Sequence, residues 1–451
     1  MRAVFFLLGP LMLYAQTPAP DFAALDEEVA RELKASGIPG AALAVVQGDR
    51  VVYLKGYGEA SVETKEKVHV DTLFRIGSTT KMFTAAAVLS LVEEGKLDLS
   101  KPLSTYVNGI HPKLGVLTGH QLLSHTAGLG DRGSGTGSHD DDALGEFIRG
   151  LDPSILELPP GAIYSYSSLG YWTAGFLLES VAGTPFADAV GERVFAPIGM
   201  TGSTFRPLMA MTYPLAQQHE GGREKAPALI RPFADQAASW PGGSAFASAR
   251  GLSRFMVAFL NGGRLEGKQV LPAAVVQKMS MGHARLPGSE DSFYTYGLVL
   301  GNDRGVRTLS HGGARIGYGS MLVMAPDQKV GVAVVANRSN AMLHSVAGRA
   351  MEMLVKFGPQ EPSPEPLSAA LPAETVSKYV GTYAGGPIRI QVSAAEGVLQ
   401  VTMDGKTQAA KSLGKDQFLA EGPVGYFVFV SDAHGAIRYL HTNLRSLARV
   451  P

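Results

Sequence analysis

A serine and a lysine stand three residues apart in Gly77-Ser78-Thr79-Thr80-Lys81. In a helix, residues i and i+3 share a face, so Ser78 and Lys81 would meet. A buried lysine is pushed toward neutrality, and a neutral amine is a base. The pair therefore reads as a nucleophile beside its activating amine, the chemistry of acyl transfer. It also reads as a helix N-cap serine with an exposed lysine. Placement favours the first reading, because the serine opens an alanine-rich helix running to Gly95. At a helix N-terminus the free N–H groups and the dipole favour developing negative charge.

Two further stretches can join that chemistry. Tyr166-Ser167-Ser168 lies between a Pro-Pro-Gly turn at 159–161 and an apolar helix. A tyrosine near a lysine can act as general acid or base; equally, it can be a core aromatic with a satisfied hydroxyl. His311-Gly312-Gly313-Ala314 lies at the start of a strand or just before it. Its glycines would let a backbone approach closely, and such an edge can offer an N–H to an oxyanion. The alternative is a glycine-rich turn with a surface histidine.

These residues need a scaffold, and the 451-residue chain is long enough for two or three domains. An amphipathic helix is predicted over residues 21–36, ended by Gly37-Ile38-Pro39-Gly40. A hairpin over 41–56 turns at Gly48-Asp49. Helices are expected at 186–195, 249–260 and 341–356, and strands of one antiparallel sheet at 296–300, 308–310, 320–324 and 330–337. A Pro-rich linker at 359–372 separates a hydrolase-sized domain, 17–358, from a tail, 373–451. The tail carries six short β-rich runs at a spacing of about ten residues, the texture of a small β-barrel or sandwich.

Composition excludes several functions. Lys+Arg and Asp+Glu are both 40, so nothing points to nucleic acid. With no cysteine there can be no disulfide, thiolate nucleophile or Cys-ligated zinc. His219-Glu220 is followed by Arg223 rather than a histidine, which removes a zincin, and no Gly-x-Ser-x-Gly elbow occurs. No cofactor or metal is expected. Residues 1–16 read as a signal peptide, from Met1-Arg2 through an apolar run to Ala15. The protein is accordingly expected to be secreted or periplasmic, with an uncleaved anchor as the alternative.

Taken together, Ser78-Thr79-Thr80-Lys81, Tyr166-Ser167-Ser168 and His311-Gly312-Gly313 resemble the serine β-lactamase and penicillin-binding-protein-like superfamily, in its class C-like branch. The stretches 122–129, 196–200 and 242–252 are similar to further segments of that family. The tail, with Tyr379-Val380-Gly381-Thr382-Tyr383, resembles a lipocalin-like barrel appended to some peptidase-like members. The resemblance implies an α/β (α+β) fold: an antiparallel sheet with flanking helices, a helical region, and the site between them. It implies Ser78 as the acylated nucleophile, Lys81 as the group that helps deprotonate it, and Tyr166 as base in acylation and acid toward the leaving group. It also implies an oxyanion hole of the Ser78 and Ala314 N–H groups, with His311, Gly312, Gly313 and Ser168 lining the substrate site.

Two departures bear on the substrate. Ser168 stands where the family's Tyr-x-Asn has its amide, and His311 where many relatives carry the lysine of Lys-Thr-Gly. Both fit an esterase or a peptidase of other specificity better than a dedicated β-lactamase. Three readings follow: a hydrolase of small esters or amides, a D-aminopeptidase or DD-peptidase, and a non-catalytic binding protein that kept the fold.

Overall fold

The computed structural model describes residues 21–131, 136–222, 224–360, 362, 365–367 and 371–451, so the expected signal segment lies outside the described residues. Helix α1 (Ala23–Ser36) ends at Gly37, whose left-handed conformation closes the cap, and leads into strands β1 (Gly40–Gln47) and β2 (Arg50–Gly58). Three central helices follow: α2 (Lys81–Glu93), α3 (Ser168–Ala182) and α4 (Ala249–Leu260). The chain then lays down β3 (Ala284–Arg285), β4 (Phe293–Tyr294), β5 (Val299–Asp303), β6 (Val306–Arg315), β7 (Tyr318–Ala325) and β8 (Val330–Ala336), and finishes this part with α5 (His344–Glu352).

The eight strands form one antiparallel sheet in the order β2-β1-β8-β7-β6-β5-β4-β3. Side chains alternate across it, as the strand period requires. Ala41, Leu43 and Val45 of β1 join Val332 and Val334 of β8 in a core with α1 and α5. Ala42, Ala44 and Val46 face the opposite core, shared with α4 and the central helices. With both faces covered, β1 and β8 are apolar almost throughout. Helix α2 is buried from Lys81 to Leu91, so it is apolar all round rather than on one stripe.

The tail is a closed antiparallel barrel of β9 (Gly381–Gly385), β10 (Ile388–Ala395), β11 (Val398–Met403), β12 (Lys406–Gly414), β13 (Gln417–Ala420), β14 (Tyr426–Ser431), β15 (Ile437–Thr442) and β16 (Arg445–Val450). β16 pairs with β9, which leaves no open edge. Rings of Tyr379, Tyr383, Phe418, Phe427 and Phe429 pack on one another in its interior. Two strands, β12 and β16, are additional to the six runs expected. Residues 361, 363–364 and 368–370 of the expected linker lie outside the described residues, and its other residues carry no helix or strand.

His311-Gly312-Gly313 is neither a turn nor a strand start. It lies inside β6, in register with Leu322, Met321 and Ser320 of β7. A Cβ on Gly313 would sit 2.0 Å from the Ile76 carbonyl oxygen, so the glycine is what lets β6 pass against the chain entering Ser78. Gly348 of α5 is the contrast, exposed and with open space where its Cβ would be. Gly313→Ala is expected to destabilise by about 1–3 kcal/mol, and Gly348→Ala to stabilise by about 0.5–1 kcal/mol. Thermal unfolding of the two variants checks both signs.

Candidate active site

Gly77–Thr80 forms a single 3-10 turn that runs into α2. With three residues per turn, side chains at i and i+3 eclipse. Lys81 Nζ accordingly donates to Ser78 Oγ at 3.2 Å, and to the Gly242 carbonyl at 2.6 Å. The turn is tied down on two sides. Ser320 Oγ of β7 donates to the Ile76 carbonyl and shares a 2.8 Å bond with Thr79 Oγ1. On the other side, Ala245 N donates to Thr80 Oγ1, Thr84 Oγ1 to the Pro241 carbonyl, and Ile76 N to the Ala245 carbonyl.

Lys81 is fully buried, with the rings of Tyr166 and Tyr171 at 4.8 and 5.5 Å. Burial penalises the charged amine and lowers its pKa to about 7; the positive Arg315 pushes the same way and Asp131 opposes. Tyr166 comes to the same serine, whose hydroxyl favours the ionised phenol against the effect of burial. Burial holds its phenol well above the usual range, so it stays protonated at neutral pH.

Tyr166 sits in extended chain just ahead of α3. Ser167 caps that helix, its Oγ accepting from Gly170 N at 3.0 Å. His125 makes the contacts of a brace. Its ring lies 4.2 Å from that of Tyr166, Nδ1 accepts from Ser167 N, and its carbonyl accepts from Ser165 N. Arg75 is likewise fully buried, donating to the Ala234 carbonyl and bridging Asp235.

Ala314 follows the glycines and is exposed, beside the half-buried Ser78. Gly77 lies between them: its φ is +51°, and a Cβ there would meet Ala314 N at 2.5 Å. Only glycine suits both the conformation and the space. The His311 ring is buried, with Nε2 on the Tyr294 hydroxyl at 3.0 Å and Nδ1 on the Gly312 carbonyl. Burial, helped by Lys81, pushes it down to about 4, so it is neutral near pH 7. Ser168 occupies the first turn of α3.

Sequence reasoning passed over one cation, Arg315. It follows Ala314, is half-buried, and donates to Ser239 Oγ at 3.2 Å. Burial lowers its pKa to about 9, which leaves it charged at neutral pH. An arginine one place beyond His-Gly-Gly-Ala was the available signal.

An antiparallel sheet flanked by helices, with Ser78, Lys81 and Tyr166 converging beside its interior strand β6, defines a β-lactamase-related serine hydrolase. The family described as Beta-lactamase matches residues 25–352, and the chain belongs to it. Penicillin-binding protein 4 of Amycolatopsis lactamdurans is 31% identical over 319 residues, which cover 66% of this chain and 81% of that protein. Unguisins hydrolase ungD of Aspergillus violaceofuscus (strain CBS 115571) is 27% identical over 343 residues, covering 69% of this chain but 60% of its own length. The crystal structure of SurE superposes with a TM-score of 0.75 at 26% identity, over 95% of this chain and 98% of that one, barrel included. Among the described residues no helix is long and apolar enough to cross a membrane.

The state of the Lys81 amine generates a pH prediction. A lysine whose folded pKa is lowered becomes neutral, hence basic, as pH rises through about 7. On a neutral ester, kcat/KM is expected to rise along a limb near that pH and then hold, with the phenol still protonated. The limb should vanish in Lys81→Met along with about a hundredfold or more of the rate. A pH–rate profile of both proteins measures this.

Proposed function

We propose that the chain hydrolyses ester or amide bonds of small acyl compounds through an acyl-enzyme on Ser78. The observation that carries this is one hydroxyl bonded to a buried amine of lowered pKa, with a protonated phenol beside that amine. In acylation, Ser78 Oγ bonds to the substrate carbonyl carbon and its proton passes to Lys81. Tyr166 gives its proton to the leaving oxygen or nitrogen as that bond breaks, and Lys81 returns one to Tyr166. Water then takes the place of the leaving group and the steps run in reverse. Lys81 and Tyr166 exchange protons as a pair, so the titration belongs to both.

The N–H groups of Ser78 and Ala314, on either side of Gly77, are the donors proposed for the oxyanion. Gly313 lets that wall close on the serine turn, whereas a Cβ on Gly312 would meet Met342 on the other face of the sheet, and Ser168 offers a hydroxyl at the mouth of α3. His311, being neutral, holds the wall through Tyr294 rather than supplying charge.

Arg315 favours a second reading. Its guanidinium is a fixed cation one residue past the oxyanion donor, suited to a carboxylate on the substrate. That suits a peptidase acting at the end of a D-amino-acid peptide. A solved structure of SurE, 26% identical to this chain, contains D-Leu.

A fluorophosphonate probe is expected to label the wild-type protein at Ser78 and to leave Ser78→Ala unlabelled. Equal labelling of the two proteins would sink the acyl-enzyme. Hydrolysis of p-nitrophenyl esters, nitrocefin and D-alanyl amides, with wild type and Arg315→Ala compared, separates the readings. A loss on a peptide ending in D-alanyl-D-alanine, but not on its C-terminal amide or on the p-nitrophenyl esters, marks the peptidase.

A further inference from the structure

The barrel reaches the hydrolase site through one hairpin. β15 and β16 are joined by Asn443 and Leu444, both with positive φ, at +46° and +69°. Such turns usually place glycine second. Here an exposed leucine is held in the left-handed region, and its carbonyl accepts from the backbone N of Tyr166 at 2.9 Å. The next two residues extend the contact. Ser446 Oγ donates to the Tyr164 carbonyl at 2.8 Å, and Ser446 N donates to Ser165 Oγ at 3.2 Å. Arg445 pairs with Asp131 at 3.2 Å. Asp131 in turn accepts from Leu169 N at 3.0 Å and from Ser167 Oγ at 3.2 Å, at the start of α3.

Every residue from 164 to 167, and Leu169 beyond, is therefore bonded either to this hairpin or to a group the hairpin holds. The hairpin is itself anchored within the barrel. Thr442 Oγ1 donates to the Val424 carbonyl at 2.6 Å, and Asn443 Nδ2 to the Pro423 carbonyl at 2.9 Å. Within the hydrolase part, Tyr166 is flanked by the rings of His125, Tyr294 and His311 and by the Lys81 amine, whereas its backbone N–H is held by the hairpin.

We infer that the barrel is part of the acyl-transfer machinery: its last hairpin fixes the backbone of Tyr166, and Arg445, acting through Asp131, is a positioning residue for that phenol. This rests on Tyr166 being the acid toward the leaving group. A general acid must stand within hydrogen-bond reach of the atom it protonates, so a displaced phenol fails at that step first.

Two esters of one acyl group, differing in leaving group, isolate the step. An alkyl ester needs a proton on its departing oxygen, whereas a p-nitrophenyl ester does not. In the full chain, Tyr166→Phe and Arg445→Ala should each lower kcat/KM for the alkyl ester by about tenfold or more, and for the p-nitrophenyl ester by less than about threefold. Arg445→Lys should recover part of the loss, and Asp131→Asn should reproduce it from the other side of the bridge. Thermal unfolding identifies any variant that has not folded; Asp131→Asn then carries the test in place of Arg445→Ala. If Tyr166→Phe discriminates between the esters but neither bridge variant does, the inference is overturned and the reading of Tyr166 stands. If Tyr166→Phe does not discriminate, the acid role falls, and the inference with it.

Discussion

The amine of Lys81 is taken out of water without being given a carboxylate. Its hydrogen bonds go to a main-chain carbonyl and a hydroxyl, and aromatic rings line its flank. Lowering its pKa from 10.5 to about 7 corresponds to about 5 kcal/mol against the charged form. A carboxylate in contact would cancel that penalty and leave an ammonium with no basicity. Much of the surrounding architecture serves this environment. Helix α2 must be apolar on every side, and the chain at 241–245 must close over its first turn. The buried ion pair of Arg75 and Asp235 is bonded to itself, to the Ala234 carbonyl and to the Trp240 indole N–H, not to the amine.

A second constraint is proximity of backbones. The serine turn and β6 approach so closely that two positions have no room for a Cβ, Gly77 against Ala314 N and Gly313 against the Ile76 carbonyl. A main-chain donor is fixed by the sheet itself, at a precision that a side chain on a loop lacks. The residues whose side chains are absent thus shape the site as firmly as those proposed to react.

Local features of this design were legible in the sequence. The spacing of Ser78 and Lys81 foretold their contact, and alanine-rich composition foretold a buried helix. Helix α4 matches its expected bounds, and the apolar run at 330–337 became β8. What escaped depends on distant contacts. Whether His311-Gly312-Gly313 bends or runs straight is decided by pairing with β7 and by the approach of Ile76, and neither is local. Strands β12 and β16 were missed because lysines, alanines and arginines dilute their β-branched residues, and barrel closure recruits them regardless. Arg315 was passed over because an arginine in a strand is normally solvated, although its place directly after His-Gly-Gly-Ala was a signal. Its partner Ser239 lies 76 residues away.

The strand order bears on how the chain is made. β1 pairs with β8, and Gly40 N donates to the Asn337 side chain across 297 residues. The N-terminal hairpin can form early, yet its partner emerges only after all the helices that line the other core have been synthesised. Until then the apolar edge of β1 has no neighbour in the chain. Contacts this remote in sequence slow folding and prolong exposure of unpaired strands. Closure of the sheet between β1 and β8 on a ribosome is thus a late event, and the barrel, made after β8, docks onto a hydrolase part that has only just closed.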